Sequence, residues 1–343
     1  MRTSCLSFLY RRIRHLVITQ TKDLEQAIEI GDKWLQRLYP VFKSIAFQFK
    51  IPKSLETKLY DLTFSSPLTI ASFKDDWTVF RIWLDMGMGG GTFKTIMTHP
   101  RNGNPKPRII ETEVDGKKCL INAMGLPGKG VSGLIDYLQK QDLTTIKKPI
   151  GFSVGGNSVT DYLQNLNRLD AFLAKKNIPF YLEINVSCPN TPDGQDMIKH
   201  PDLLETLLED FRRTSTTILG IKLSPDQNNE DLIEFATIIK QIPRTYINIG
   251  NTTFRKTTEL SIGGGGLSGP ALFERTLEMT QLLSPIGVPL IATGGVSSVD
   301  NVNLLLKNGA TLVGLATQLV LDPYQIPKIN NKLVKNVDLE KRK

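Results

Sequence analysis

The residues richest in chemistry form one run, Glu183-Ile-Asn-Val-Ser-Cys-Pro-Asn-Thr-Pro192. Asn185, Ser187, Cys188, Asn190 and Thr191 crowd amide, hydroxyl and thiol groups where an apolar, strand-like stretch opens into a loop. Pro189 and Pro192 limit the loop's backbone freedom. Each asparagine offers one acceptor and two donors, so the run can read the hydrogen-bonding edges of a polar ring. Cys188 can serve as a nucleophile, a base or a small buried hydrophobe. Two lysines, Lys94 in Phe-Lys-Thr-Ile and Lys222 in Gly-Ile-Lys-Leu, lie inside apolar strand-like segments. An ammonium without a partner is costly in such surroundings.

A frame must carry these groups. Short apolar runs at 67–72, 92–97, 149–154, 180–186, 217–223, 245–249, 288–293 and 311–316 have strand character. Helical patterns at 159–175, 201–214, 230–241, 272–283 and 298–308 fall between them. Eight such strands with intervening helices predict an α/β fold, a closed (β/α)8 TIM barrel rather than an open doubly wound sheet. The span 98–148 is long for one crossover and predicts an extra hairpin around 108–121. Chemistry in a barrel of this kind belongs at the carboxyl ends of the strands, which is where the polar run falls.

Composition narrows the classes. Of 343 residues, 40% are apolar and 22% charged, a globular balance rather than a disordered one. Cys5, Cys119 and Cys188 are too few for a disulfide scaffold, which points to a reducing, cytoplasmic setting. There is no C-x-x-C pair, and His15, His99 and His200 are scattered, so no metal site is expected. No stretch approaches the roughly 18 to 20 apolar residues that span a bilayer. The net charge of +8 has no basic run interleaved with aromatics beyond the N-terminus, which argues against nucleic acid.

That charge is concentrated at the start. Arg2, Arg11, Arg12, Arg14 and His15 mix with Leu6, Phe8, Leu9, Ile13, Leu16 and Val17, with no acid before residue 20. The pattern fits a basic amphipathic helix on an anionic membrane surface, a targeting presequence, or a helix docked on its own domain. A second helical stretch carries Leu24, Ile28, Trp34, Leu35, Leu38, Phe42, Ile45 and Phe47, and Pro40 should kink or divide it. The expected organisation is a helical extension at 1–57, a barrel at 58–328 and a basic tail at 329–343, solvated from Lys332 to Lys343. Peripheral membrane contact would run through residues 1–50.

Asn185-Val-Ser-Cys-Pro-Asn190 resembles the active-site loop of the dihydroorotate dehydrogenases, flavin enzymes of pyrimidine synthesis. Asn104-Pro-Lys-Pro-Arg108, Ile121-Asn-Ala-Met-Gly-Leu-Pro127, Gly220-Ile-Lys-Leu223 and Asn251-Thr252 resemble further segments of that family. So do Gly266-Leu-Ser-Gly269, Thr293-Gly-Gly295 and Gly309-Ala-Thr-Leu-Val313, all in the family's order across residues 60–325. The resemblance implies FMN-dependent oxidation of dihydroorotate to orotate, a proton leaving C5 and a hydride leaving C6 for flavin N5. It makes Cys188 the general base and sets Lys94 near flavin and orotate. Substrate would meet Asn122, Asn190, Asn251 and Thr252, with backbone groups of Met124, Gly125 and Leu126 at its carboxylate end. Ala71, Ser72, Ser153 and Asn185 would touch the flavin, and Lys222 would offset negative charge near N1 and O2. Gly266, Ser268, Gly269, Gly294, Gly295, Ala316 and Thr317 match the family's phosphate-binding turns. A homodimer is implied as well.

The chain also departs from the family. Ala71-Ser-Phe73 stands where an Ala-Ser-Gly or Ala-Ala-Gly turn runs under the flavin, predicting a reshaped pocket or another register. Gly128-Lys129 replaces an Asn-Leu pair, predicting a looser loop beside the substrate. Cys188 and Lys94 resemble class 1 enzymes, which use fumarate or a second subunit. The N-terminal extension resembles class 2, whose helices touch the membrane and admit quinone. Lys74 lies two residues from the class 2 lysine and takes no role from it. The acceptor stays open among quinone, fumarate and NAD through a partner. Rival readings are a flavin barrel acting on another dihydropyrimidine or on tRNA dihydrouridine, and a non-catalytic barrel subunit.

Overall fold

The computed structural model describes residues 2–21, 24–186 and 200–340. Two helices, α1 (Arg2–Thr21) and α2 (Leu24–Phe42), lead into a hairpin of β1 (Thr57–Leu59) and β2 (Leu62–Phe64). Then come β3 (Leu68–Ile70), β4 (Gly90–Ile96), an antiparallel pair β5 (Ile109–Val114) and β6 (Lys117–Asn122), β7 (Ile150–Val154), β8 (Phe180–Asn185) and β9 (Leu219–Leu223). The last strands are β10 (Thr245–Ile249), β11 (Thr253–Lys256), β12 (Gly264–Ser268), β13 (Leu290–Thr293) and β14 (Leu312–Leu315). β3, β4, β7, β8, β9, β10, β13 and β14 close in that order into a parallel barrel, so the eight sequence-predicted strands are the eight staves.

Helices α3 (Trp77–Met86), α4 (Gly130–Gln139), α5 (Val159–Leu173), α6 (Pro201–Thr214), α7 (Asn229–Gln241), α8 (Phe273–Leu283) and α9 (Val299–Lys307) lie between the staves. Their starts are written locally. Asp76, Ser158, Asn228 and Ser298 each cap a helix by accepting a backbone N–H three residues on. Staves β7, β9 and β10 are buried along their whole length, as parallel strands covered by helices must be. Inside the barrel, side-chain-free positions receive rings. A Cβ on Gly151 would lie 2.2 Å from the Tyr181 ring, and one on Gly220 would lie 2.0 Å from that of Tyr246.

The β1–β2 hairpin floors the barrel. Leu59, Leu62 and Phe64 pack with Tyr181, Ile218, Tyr246, Ile291 and Leu312, all at the amino ends of staves. At the opposite end the predicted hairpin is present as β5 and β6, widened by β12 and β11 into a four-stranded antiparallel sheet. In the helical pair, α2 is not divided at Pro40 but continues to Phe42 and passes into a π turn, Lys43–Phe47. The C-terminal segment differs from expectation. After α10 (Thr317–Leu321), helix α11 (Gln325–Glu340) buries Ile329, Asn330 and Leu333, the last of them within the stretch expected to be solvated. Asn330 accepts from the Ser66 hydroxyl at 2.7 Å and donates to the Gly87 carbonyl at 2.8 Å, which fastens α11 to the barrel wall.

Candidate active site

A cavity of about 670 Å³ opens above the carboxyl ends of the staves. Staves and the turns that follow them bring in Ala71 and Ser72, Lys94, Asn185, Lys222, and Asn251 with Thr252. The antiparallel sheet adds Asn122, Ser268 and Gly269, and the loop after β6 adds Met124, Gly125 and Leu126. Gly294, Gly295, Ala316 and Thr317 complete the wall after β13 and β14. Ser153 and Gly266 stand behind that wall rather than on it. The Ser153 hydroxyl bonds Thr95 Oγ1 at 2.9 Å, and the bare Cα of Gly266 leaves room for Thr252, whose Oγ1 would lie 1.9 Å from a Cβ there. Cys188 and Asn190 lie outside the described residues.

The position of Lys94 has a structural cause. The pairing of β4 with β7 shifts register between Phe93 and Ile96, and this irregularity lets consecutive residues Lys94 and Thr95 both face the cavity. Thr95 then accepts from Asn185 Nδ2 at 3.0 Å, which fixes that amide. Asn185 Oδ1 and Thr293 Oγ1 are buried on the cavity wall with no hydrogen-bond partner among the described residues. Buried polar atoms are normally satisfied, so this pair leaves hydrogen-bonding capacity on the cavity wall. Thr95 carries this local order but has no signal of its own in sequence, since a threonine in a strand is ordinarily a propensity residue, whereas Thr293 opens the Thr293-Gly-Gly295 motif.

Both lysines are sunk into the wall. Lys222 is 8% exposed and donates to Ser72 Oγ at 3.3 Å. Burial pushes the Lys94 ammonium below the usual lysine range, and Asp75, 3.9 Å away, pulls it partly back. The cavity is roofed by α2, which contributes Glu25, Ile28, Glu29 and Asp32. Glu25 takes two bonds from the Arg108 guanidinium, 3.0 and 2.8 Å, and Asp32 pairs with Lys74. Burial alone would raise the Glu25 carboxyl, but Arg108 and Lys106 outweigh it and hold the group below its ordinary value.

The two departures are absorbed without disorder. The Phe73 ring stacks on Trp83 of α3, with centroids 5.5 Å apart, while its backbone N–H bonds the Ala71 carbonyl. Gly128 pairs with Arg101 through two backbone hydrogen bonds of 2.9 Å, and Asn104 bonds the Met124 and Ala123 carbonyls. These bonds pin the loop beside Asn122.

Fold and site define an α/β-barrel enzyme with a lysine-bearing cavity at the carboxyl ends of its staves. The family model described as dihydroorotate dehydrogenase matches residues 54–337. The chain belongs to the dihydroorotate dehydrogenase family. The catalytic subunit of dihydroorotate dehydrogenase B (NAD(+)) from Halalkalibacterium halodurans is 32% identical over 263 residues, covering 73% of this chain and 82% of that protein. Dihydroorotate dehydrogenase (quinone) from Nostoc punctiforme is 28% identical over 305 residues, covering 83% of this chain and 80% of that protein. A DHODH from Eimeria tenella, solved in complex with ferulenol, shares the fold. Its TM-score is 0.77 at 20% identity, over 91% of this chain and 92% of that one.

Proposed function

We propose that the chain oxidises dihydroorotate to orotate in pyrimidine biosynthesis, with FMN bound in the cavity above the barrel. The family is flavin-dependent, and the cavity's own features fit the group. Two buried acceptors, Asn185 Oδ1 and Thr293 Oγ1, await donors. Gly294 and Gly295 have φ of 135° and 70°, and a Cβ on Gly295 would lie 2.3 Å from the Phe273 backbone nitrogen. Turns that tight expose backbone N–H groups in the way a phosphate requires. Ser268, Gly269, Gly294, Gly295, Ala316 and Thr317 would hold the phosphate, and Ala71, Ser72 and Asn185 the ring. When bound, FMN supplies the hydride acceptor for C6 of the substrate.

The chain's residues do the rest. Cys188 removes the C5 proton. Asn122, Asn190, Asn251 and Thr252 read the pyrimidine ring, with Met124, Gly125 and Leu126 at its carboxylate. Lys222 would supply the fixed cation that offsets the negative charge of a reduced flavin, and Lys94 would lie near both flavin and orotate. The observation that carries the reading is the convergence of Asn122, Asn185, Lys222 and Asn251 on one cavity. The purified protein should be yellow and should bleach on anaerobic addition of dihydroorotate. Bleaching by dihydrouracil alone would instead favour a different dihydropyrimidine.

The reading extends to the helical pair. Among the described residues no helix is long and apolar enough to cross a membrane. Phe8, Leu9, Ile13 and Leu16 of α1 are each at least half exposed beside Arg11 and Arg12. We assign this face to an anionic membrane surface, in a chain organised as extension, barrel and C-terminal segment and paired as a homodimer. Co-sedimentation with phosphatidylserine vesicles that weakens as salt rises is the expected result, and indifference to vesicles would remove the assignment.

A further inference from the structure

The inner face of α1 grips the turn that carries the far end of the cofactor site. Ser7, Tyr10 and Arg14 lie three and four residues apart, hence on one side of the helix. Ser7 Oγ donates to Asp322 Oδ2 at 2.5 Å. The Tyr10 hydroxyl and Arg14 Nε both donate to the Val320 carbonyl, at 3.3 and 3.1 Å. Arg14 also reaches Glu111 on β5 at 2.6 Å, and its side chain is only 14% exposed. Val320 belongs to α10, a five-residue helix that lines the cavity with Thr317, Gln318 and Val320. So short a helix has little stability of its own, and its position depends on what holds it.

We propose that Arg14 is a positioning residue for FMN: by tying the Val320 carbonyl to Glu111, it holds the 316–322 turn in the conformation that receives the phosphate. The proposal rests on the FMN reading above. Thr317 Oγ1 bonds Ser268 Oγ at 2.9 Å, so the turn held by α1 is coupled to the other half of the phosphate cradle. Without the guanidinium, the turn keeps only the Ser7, Tyr10 and Thr317 bonds, more of its order has to come from the ligand, and ligand retention falls by the cost of that ordering. The N-terminal helix thus contributes to cofactor retention even though Arg14 does not line the cavity.

The test is FMN release from the purified holoenzyme, followed as the rise of free-flavin fluorescence after dilution. Arg14→Gln should release FMN about tenfold faster, the scale of one lost charge-assisted bond. Arg14→Lys should recover part of the difference, because an ammonium can meet one of the two acceptors but not both. Arg12→Gln removes the same charge from the helix's outer side, where Arg12 lies over the Phe8 ring, and should release FMN at the wild-type rate. Equal release by Arg14→Gln and wild type would overturn the proposal, as would equally fast release by Arg12→Gln. If Arg14→Gln does not fold, Glu111→Gln loosens the same guanidinium from the β5 side, and an unchanged rate there is equally fatal. A wild-type protein purified without flavin would bring down the FMN reading itself, an outcome distinct from either.

Discussion

Replacing Cys188 by alanine should leave the protein yellow while slowing bleaching by dihydroorotate about 10² to 10⁴-fold, the usual contribution of a general base. Cys188 is not among the residues proposed to hold FMN, so cofactor content should be unchanged. The wild-type rate should depend on pH in two ways. A thiol with a reference pKa of about 8.5 is mostly protonated at neutral pH, so bleaching should accelerate as pH rises and the thiolate forms. At higher pH a falling limb should follow as Lys94 loses its proton. Because burial depresses that ammonium, the limb should lie below the ordinary lysine range. Stopped-flow flavin absorbance across pH reads both limbs. Full-rate bleaching by Cys188→Ala would move the base to another residue.

Lys222→Met should be the second severe change, lowering the rate of bleaching by about 10² to 10³-fold, the scale for removing one fixed stabilising group from a developing charge. Methionine keeps the length and fills the same space on β9, whose residues are all buried, so the barrel should stay folded. The loss is electrostatic and should also appear without turnover, as a flavin midpoint potential shifted to more negative values. A variant with unaltered potential and rate would show that Lys222 serves packing alone.

The staves were legible because buried parallel strands read as short apolar runs. Leu219–Leu223 and Thr245–Ile249 are examples in which every residue is buried. What escaped depends on distant partners. β11 and β12 form around Gly264, Gly265 and Gly266, residues with poor intrinsic strand character, and exist because β12 pairs with β6. Helix α11 carries Lys328 and Lys332 beside Ile329 and Leu333, and the charges hid the apolar face that buries. The cavity wall was legible through motif and position together, but its roof was not. Glu25 and Asp32 look like a solvated helix face until Arg108 and Lys74 are placed opposite them. The irregularity that turns Thr95 inward is likewise a property of β4 against β7 and has no local mark.

The hairpin that floors the barrel has a consequence for how the chain comes together. Leu59, Leu62 and Phe64 occur early in the sequence, yet their partners extend from Tyr181 to Leu312. A chain that ends before Leu312 cannot pair β14 with β3, so it has neither a closed ring nor a complete floor. Contacts so distant in sequence incur the largest loop-closure cost and are slow to form. Synthesis therefore delivers an apolar hairpin long before the socket that accepts it. Ring closure and the seating of this plug depend on the same final strand, so the earliest hairpin belongs to the part of the core completed last.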